Sequence, residues 1–188
     1  MSDVRSPGGF EMSDVLLLVD VLDDFGHEHG QELLHSLAER HDKLTTLLGS
    51  ARGAGVPVVF ANDNKGRWDS DLGDLVRRVL AGPGGGLMGD LVPLPGERFV
   101  IKPRYSAFDH TPLALILEEL GCARLLLAGM TTEGCVTQSA IAARELGFNV
   151  SVVAEACATV NREHEETALR YLVDVVGVRL AEVDKIET

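Results

Sequence analysis

Short, almost unbroken apolar runs alternate with longer amphipathic stretches along the chain, and this alternation constrains the fold more than any other feature. A strand with one wet face alternates polar and apolar residues, whereas a strand covered on both faces does not. Runs such as VLLLV and RLLLA are of the second kind, and they predict strands at residues 15–20, 57–61, 98–101, 124–128, 150–154 and 178–183.

The segments between them have helical character. Leu33, Leu37, Leu44, Leu48 and Ala51 recur near helical spacing before the Gly53-Ala54-Gly55 stop. Further helices are predicted at 69–81, from the Thr111-Pro112 start to about 120, at 132–146 ahead of Gly147, and at 162–175. The Gly/Pro-rich stretch from Gly84 to Gly96 is expected to be an irregular connection. Strands separated by helices give an α/β fold, a three-layer αβα sandwich whose ligands bind beyond the carboxyl ends of the strands.

The whole chain, 1–188, is expected to form one domain, with residues 1–13 a flexible N-terminal extension: 188 residues at 45% hydrophobic content suffice for one sizeable core. A formal charge of −12 argues against nucleic acid and anionic lipid as partners. No run approaches the ~18 apolar residues of a membrane span, and MSDVRSPGGFEMSD lacks the pattern of a signal peptide. A soluble, cytoplasmic protein is expected. Cys122, Cys135 and Cys157 are odd in number and lack CxxC spacing, so neither a disulfide framework nor a thiolate zinc site is predicted.

Three polar residues stand at or just beyond predicted strand ends: Asp20 after VLLLV, Lys102 after RFVI, and Cys135 in the turn after RLLLA. Each has an ordinary reading when taken alone: a turn cap, a solvated charge and a small core hydrophobe. Cys135 is set apart by its context, GMTTEGCVTQSA, where a helix begins close to the thiol. The N–H groups of a helix N-terminus favour thiolate, so a lowered pKa is expected there. Cys122, at a helix end, and Cys157, in AEACATV, lack that setting.

The strings LVDVLDDF, VIKPRYSAFDHTPL and LLLAGMTTEGCVTQSAIAARELGFNVSVVAEAC together resemble the isochorismatase-like cysteine hydrolases over nearly the whole chain. That family includes nicotinamidases, N-carbamoylsarcosine amidohydrolases, ureidoacrylate amidohydrolases and isochorismatases. The resemblance implies a central, mainly parallel six-stranded sheet in the order 3-2-1-4-5-6, and it implies Asp20, Lys102 and Cys135 as catalytic base, cation and nucleophile. It further implies an oxyanion hole built from the backbone N–H groups of Thr131 and Cys135, with a cis peptide bond between Met130 and Thr131.

The implied reaction is hydrolysis of a C–N bond in a small molecule (amide, ureide, carbamoyl group or lactam) through a thioester. Two alternatives stand beside it: a vinyl ether hydrolase of the isochorismatase type, and a non-catalytic binding or assembly protein on the same scaffold. Nicotinamidases carry a metal site of Asp and His after the second strand, where this chain has ANDNKGRWDSD with no histidine. Neither zinc, nor any other metal or cofactor, nor nicotinamidase activity is therefore expected, and His27 and His29 are read as a solvated loop pair.

Candidate substrate-binding residues are Phe25, Asn62, Trp68, Arg104 and Phe108; Asp63, Asn64 and Arg67 stand with Asn62 and Trp68 after the second strand, where they would line the pocket mouth or else form a helix-entry turn. Trp68 would stack on a planar substrate, Phe108 would shield the site from water, and Arg104 would hold a substrate carboxylate or else form a surface ion pair. Members of the family commonly form dimers or tetramers, so a homo-oligomer is expected.

Overall fold

The computed structural model describes residues 14–63, 65–67 and 71–183, so the N-terminal extension expected at 1–13 lies outside the described residues. Six strands form one sheet: β1 (Asp14–Val19), β2 (Val58–Asp63), β3 (Arg98–Lys102), β4 (Arg124–Met130), β5 (Asn149–Ala158) and β6 (Arg179–Leu180). Their order is β3-β2-β1-β4-β5-β6 and every pairing is parallel, which is the order implied by the resemblance.

Burial follows position in the sheet. Val15, Leu16, Leu17, Leu18 and Val19 of the central β1 are all 0% exposed, whereas Arg98 of β3 and both residues of β6 are exposed at the edges. Five branched side chains without a wet face are what the unalternating VLLLV run requires, and each full burial contributes roughly 1.5–3 kcal/mol.

The crossovers carry α1 (Gly30–Gly53), α2 (Leu72–Ala81), α3 (Gly85–Met88), α4 (Leu113–Glu119), α5 (Thr137–Glu145) and α6 (Arg162–Tyr171). α1 buries Leu33, Leu37, Leu44, Leu48 and Ala51, the stripe whose spacing predicts it. α2 begins at Leu72, capped by the Asp71 carboxylate, which accepts from the Asp74 N–H at 2.8 Å.

Three local differences from the sequence expectation have physical causes. The Gly-rich stretch after α2 contains α3 and a 3₁₀ turn, Gly89–Leu91, because Met88 and Leu91 are fully buried and anchor it. β5 runs to Ala158 rather than stopping near 154, since a register shift against β4 between Leu127 and Gly129 accommodates extra length and pairing resumes at Gly129 with Cys157. Thr132–Val136 is a π-helical stretch ahead of α5, with the Val136 N–H reaching back five residues to the Thr131 carbonyl.

Candidate active site

Asp20 follows β1 directly, with φ at 50°, in the left-handed region that an Asp tolerates better than most residues. Its N–H donates to the Ala61 carbonyl at 2.8 Å, and its Oδ1 accepts the Asp63 N–H at 2.7 Å. The carboxylate is thereby fastened to the end of β2 from both backbone and side chain.

Lys102 is the last residue of β3 and pairs in register with Asp63 of β2, so its stem crosses the end of β2 to reach Asp20 beyond β1. The side chain is completely buried. Its Nζ lies 2.7 Å from Asp20 Oδ2, 3.4 Å from Cys135 Sγ and 2.9 Å from the Arg104 carbonyl oxygen. An ammonium has three N–H donors, and these three acceptors match them.

Cys135 sits in the π-helical stretch after β4. The Met130–Thr131 peptide bond at the start of this turn is cis, as the resemblance implies. The N–H groups of Gly134 and Val136, on either side of Cys135, both donate to the Thr131 carbonyl at 3.1 Å. Two residues before Thr131, Gly129 has φ at +131°, and a Cβ there would stand 2.0 Å from the Val19 carbonyl oxygen. Only glycine lets β4 approach β1 this closely, and that approach brings the thiol to the carboxylate.

The charges are strongly coupled. Burial raises the Asp20 pKa above the ordinary carboxylate value, against the Lys102 charge and hydrogen bonds from Cys135, Lys102 and the Asp63 N–H, which lower it. Burial opposes the Lys102 charge, yet Asp20 and Cys135 together hold its pKa above the usual lysine value. The Cys135 thiol is pushed up to about 12, first by burial and then by the Asp20 carboxylate, with Lys102 pulling the other way. This corrects the lowered pKa expected from the helix start: burial, with the Asp20 carboxylate second to it, outweighs the turn.

A cleft of about 390 Å³ opens over these groups, lined by Asp20, Asn62, Met130, Thr131 and Cys135, with Asp23, His27, Lys65 and Tyr105 toward its mouth and Leu33 and Asp63 on its walls. Of the four candidate substrate-binding residues among the described residues, Asn62 alone lines it. Its buried amide bridges the Leu22 backbone, accepting from the N–H at 3.1 Å and donating to the carbonyl at 2.8 Å, so it shapes the wall. Arg104 points its side chain outward to within 4.0 Å of Asp109, the ion-pair alternative, while its carbonyl serves Lys102.

Phe25 is buried against Gly84, where a Cβ would meet its ring at 2.4 Å, so it is core packing beside the cleft and not part of its lining. Phe108 packs on Phe148 with ring centroids 6.2 Å apart and lines a different hollow with Ile141 and Leu146, so it does not shield Cys135. Asn64 and Trp68 lie outside the described residues.

Asp63, expected at the pocket mouth, lines the cleft, and the cleft residues absent from the predicted set are Asp23, His27, Leu33, Lys65, Tyr105 and Met130. Several are tied together. Asp23 Oδ1 lies 3.5 Å from His27 Nε2 and 3.3 Å from Lys65 Nζ, which also reaches Asp24 Oδ1 at 2.6 Å. His27 is exposed in the loop after β1, as expected, and from there it also lines the cleft; position just beyond a strand end was the available signal. Among the described residues, no group of three or more His, Cys, Asp or Glu side chains is placed to hold a metal ion. No helix of the described residues is long and apolar enough to cross a membrane.

The family model of the isochorismatase domain matches residues 14–183. The chain is 24% identical over 171 residues to the isochorismatase family protein YaaI of Bacillus subtilis, covering 91% of this chain and 94% of that one. It is 28% identical over 155 residues to the maleamate amidohydrolase of Pseudomonas putida, covering 78% of this chain and 73% of that enzyme. Among solved structures, the nicotinamidase/pyrazinamidase PncA of Bacillus subtilis superposes with a TM-score of 0.73 at 28% identity, over 90% of this chain and all (100%) of that one. Fold, strand order and the match across residues 14–183 agree, and the chain belongs to the isochorismatase family.

Proposed function

We propose that this protein hydrolyses a C–N bond of a small molecule, of amide, ureide, carbamoyl or lactam type, with Cys135 as nucleophile. The observation that carries the reading is the position of the Lys102 ammonium, 2.7 Å from a carboxylate oxygen of Asp20 and 3.4 Å from the sulfur of Cys135.

An amide carbonyl is a weak electrophile and its nitrogen leaves poorly, so a covalent route divides one difficult displacement into two easier ones. Asp20 takes the thiol proton as Cys135 Sγ adds to the carbonyl carbon. Burial raises the basicity of Asp20, which makes this transfer less uphill than it would be to an ordinary carboxylate. Lys102, with its three N–H groups already matched, acts as a fixed cation that holds whichever partner is negative.

The backbone N–H groups of Thr131 and Cys135 take the developing oxyanion, a task worth about 10²–10³ in rate per donor in comparable sites. As the C–N bond breaks, the proton passes from Asp20 to the departing nitrogen. Water then adds to the thioester, giving one proton to Asp20 and an acid product, and Asp20 returns that proton to the sulfur.

The test is a panel of ureides, N-carbamoyl amino acids, lactams and primary amides, nicotinamide and maleamate included, scored for ammonia or amine release. Turnover lost in Cys135→Ala is the expected result. Equal release by the variant, or cleavage of isochorismate with no release from the panel, overturns the reading.

A further inference from the structure

The turn that carries Cys135 is held from behind by groups that never meet the cleft. Thr132, its first residue, is 0% exposed, and its Oγ1 donates to Glu165 Oε1 at 2.8 Å. Glu165 comes from the first turn of α6 and is itself 6% exposed. Arg40, from the middle of α1, grips the same carboxylate bidentately, Nη1 to Oε1 at 2.5 Å and Nη2 to Oε2 at 2.6 Å. The Arg40 guanidinium also donates to the Cys157 carbonyl, next to the end of β5. Beyond this, Thr137 Oγ1 donates to the Thr132 carbonyl at 2.6 Å, locking the same residue from the α5 side.

A buried ion pair is poor evidence for stability, since desolvation consumes much of its attraction, and an apolar substitute often serves as well. Retaining one makes physical sense where direction matters. The Glu165 carboxylate has a fixed orientation because Arg40 occupies both its oxygens. It therefore presents one oxygen to Thr132, one residue past the cis bond and three before the thiol.

We infer that Thr132, Glu165 and Arg40 form a positioning set that sets the distance of Cys135 from Asp20 and Lys102, acting on the reaction without touching substrate. A merely structural role would be to tie α6 to α1, which Arg40 and Glu165 do without Thr132. The hydroxyl of Thr132 is the link that carries their geometry to the nucleophile. This inference rests on Cys135 being the nucleophile.

The experiment is the acylation burst with p-nitrophenyl acetate, run with melting curves on wild type, Cys135→Ala, Thr132→Val and Thr132→Ser. Thr132→Val keeps the shape and leaves the Arg40–Glu165 pair intact. A burst about tenfold slower is expected, corresponding to the ~1.4 kcal/mol scale of a hydrogen bond to a charged group, with KM within twofold of wild type. Thr132→Ser is expected to restore the burst to within about threefold, since the hydroxyl returns. A Thr132→Val protein that melts lower but bursts at the wild-type rate overturns the inference and assigns the set to stability alone. Failure of Thr132→Ser to recover the rate overturns it as well. Wild type and Cys135→Ala bursting equally would instead remove the reading of Cys135 on which it stands.

Discussion

The Nζ of Lys102 is shared between two groups that compete for a proton, lying 2.7 Å from Asp20 Oδ2 and 3.4 Å from Cys135 Sγ. Asp20 raises the thiol pKa and Lys102 lowers it, so removing one or the other moves thiol reactivity in opposite directions. Asp20→Asn is expected to speed alkylation of Cys135 by iodoacetamide at pH 8, and Lys102→Met to slow it. Amide turnover falls in both, by about 10²–10⁴ in Asp20→Asn where the base is lost. Adducts mapped by mass spectrometry check the order, and slower alkylation in Asp20→Asn would refute it.

Alkaline stability follows from the buried thiols. Cys157 is fully buried and its pKa is pushed up to about 12 by burial, from an ordinary 9.0. A pKa raised on folding gives a contribution fully present below 9 and lost as the pH rises toward 12. Cys157→Ala removes this loss: from pH 7 to pH 10 the wild type is expected to lose on the order of 1 kcal/mol more than the variant. Urea unfolding at both pH values measures it, and equal losses would sink the claim.

Gly129→Ala is expected to destabilise by about 3 kcal/mol or more, because a Cβ meets the Val19 carbonyl and the backbone is held at positive φ. Denaturant midpoints with unchanged slope are the measure. Tolerance of alanine here would mean that β1 and β4 can separate without penalty.

Phe108→Ala separates packing from chemistry. Its ring lies against Phe148 and away from the cleft, so stability should fall by about 1–3 kcal/mol while kcat and KM stay within about twofold. A large drop in kcat with an unchanged melting temperature would return Phe108 to the site.

The parallel sheet was legible because strands covered on both faces leave a plain mark in VLLLV and RLLLA, and Asp20 and Lys102 could be placed because position relative to a strand end is a local property. Cys135 was found in the same way, but its pKa was not, since that depends first on burial in the folded chain and then on a carboxylate brought from 115 positions away by pairing of β1 with β4. Arg40 and Glu165 stand 125 positions apart on two helices, and no periodicity marks a pair formed across such a separation. Phe25 and Phe108 show the opposite failure: proximity to a motif in sequence drew them toward the site, while the nearest apolar surface, Gly84 for one and Phe148 for the other, claimed each ring.

β1 is paired on both edges and sealed on both faces, and Asp20 begins where it ends. Its amides should exchange with deuterium only through global unfolding, the slowest in the molecule. Asp20 is therefore mounted on the part of the protein that fluctuates least, and the π-helical turn bearing Cys135 is tied behind it to α6 and α1 through Thr132, Glu165 and Arg40.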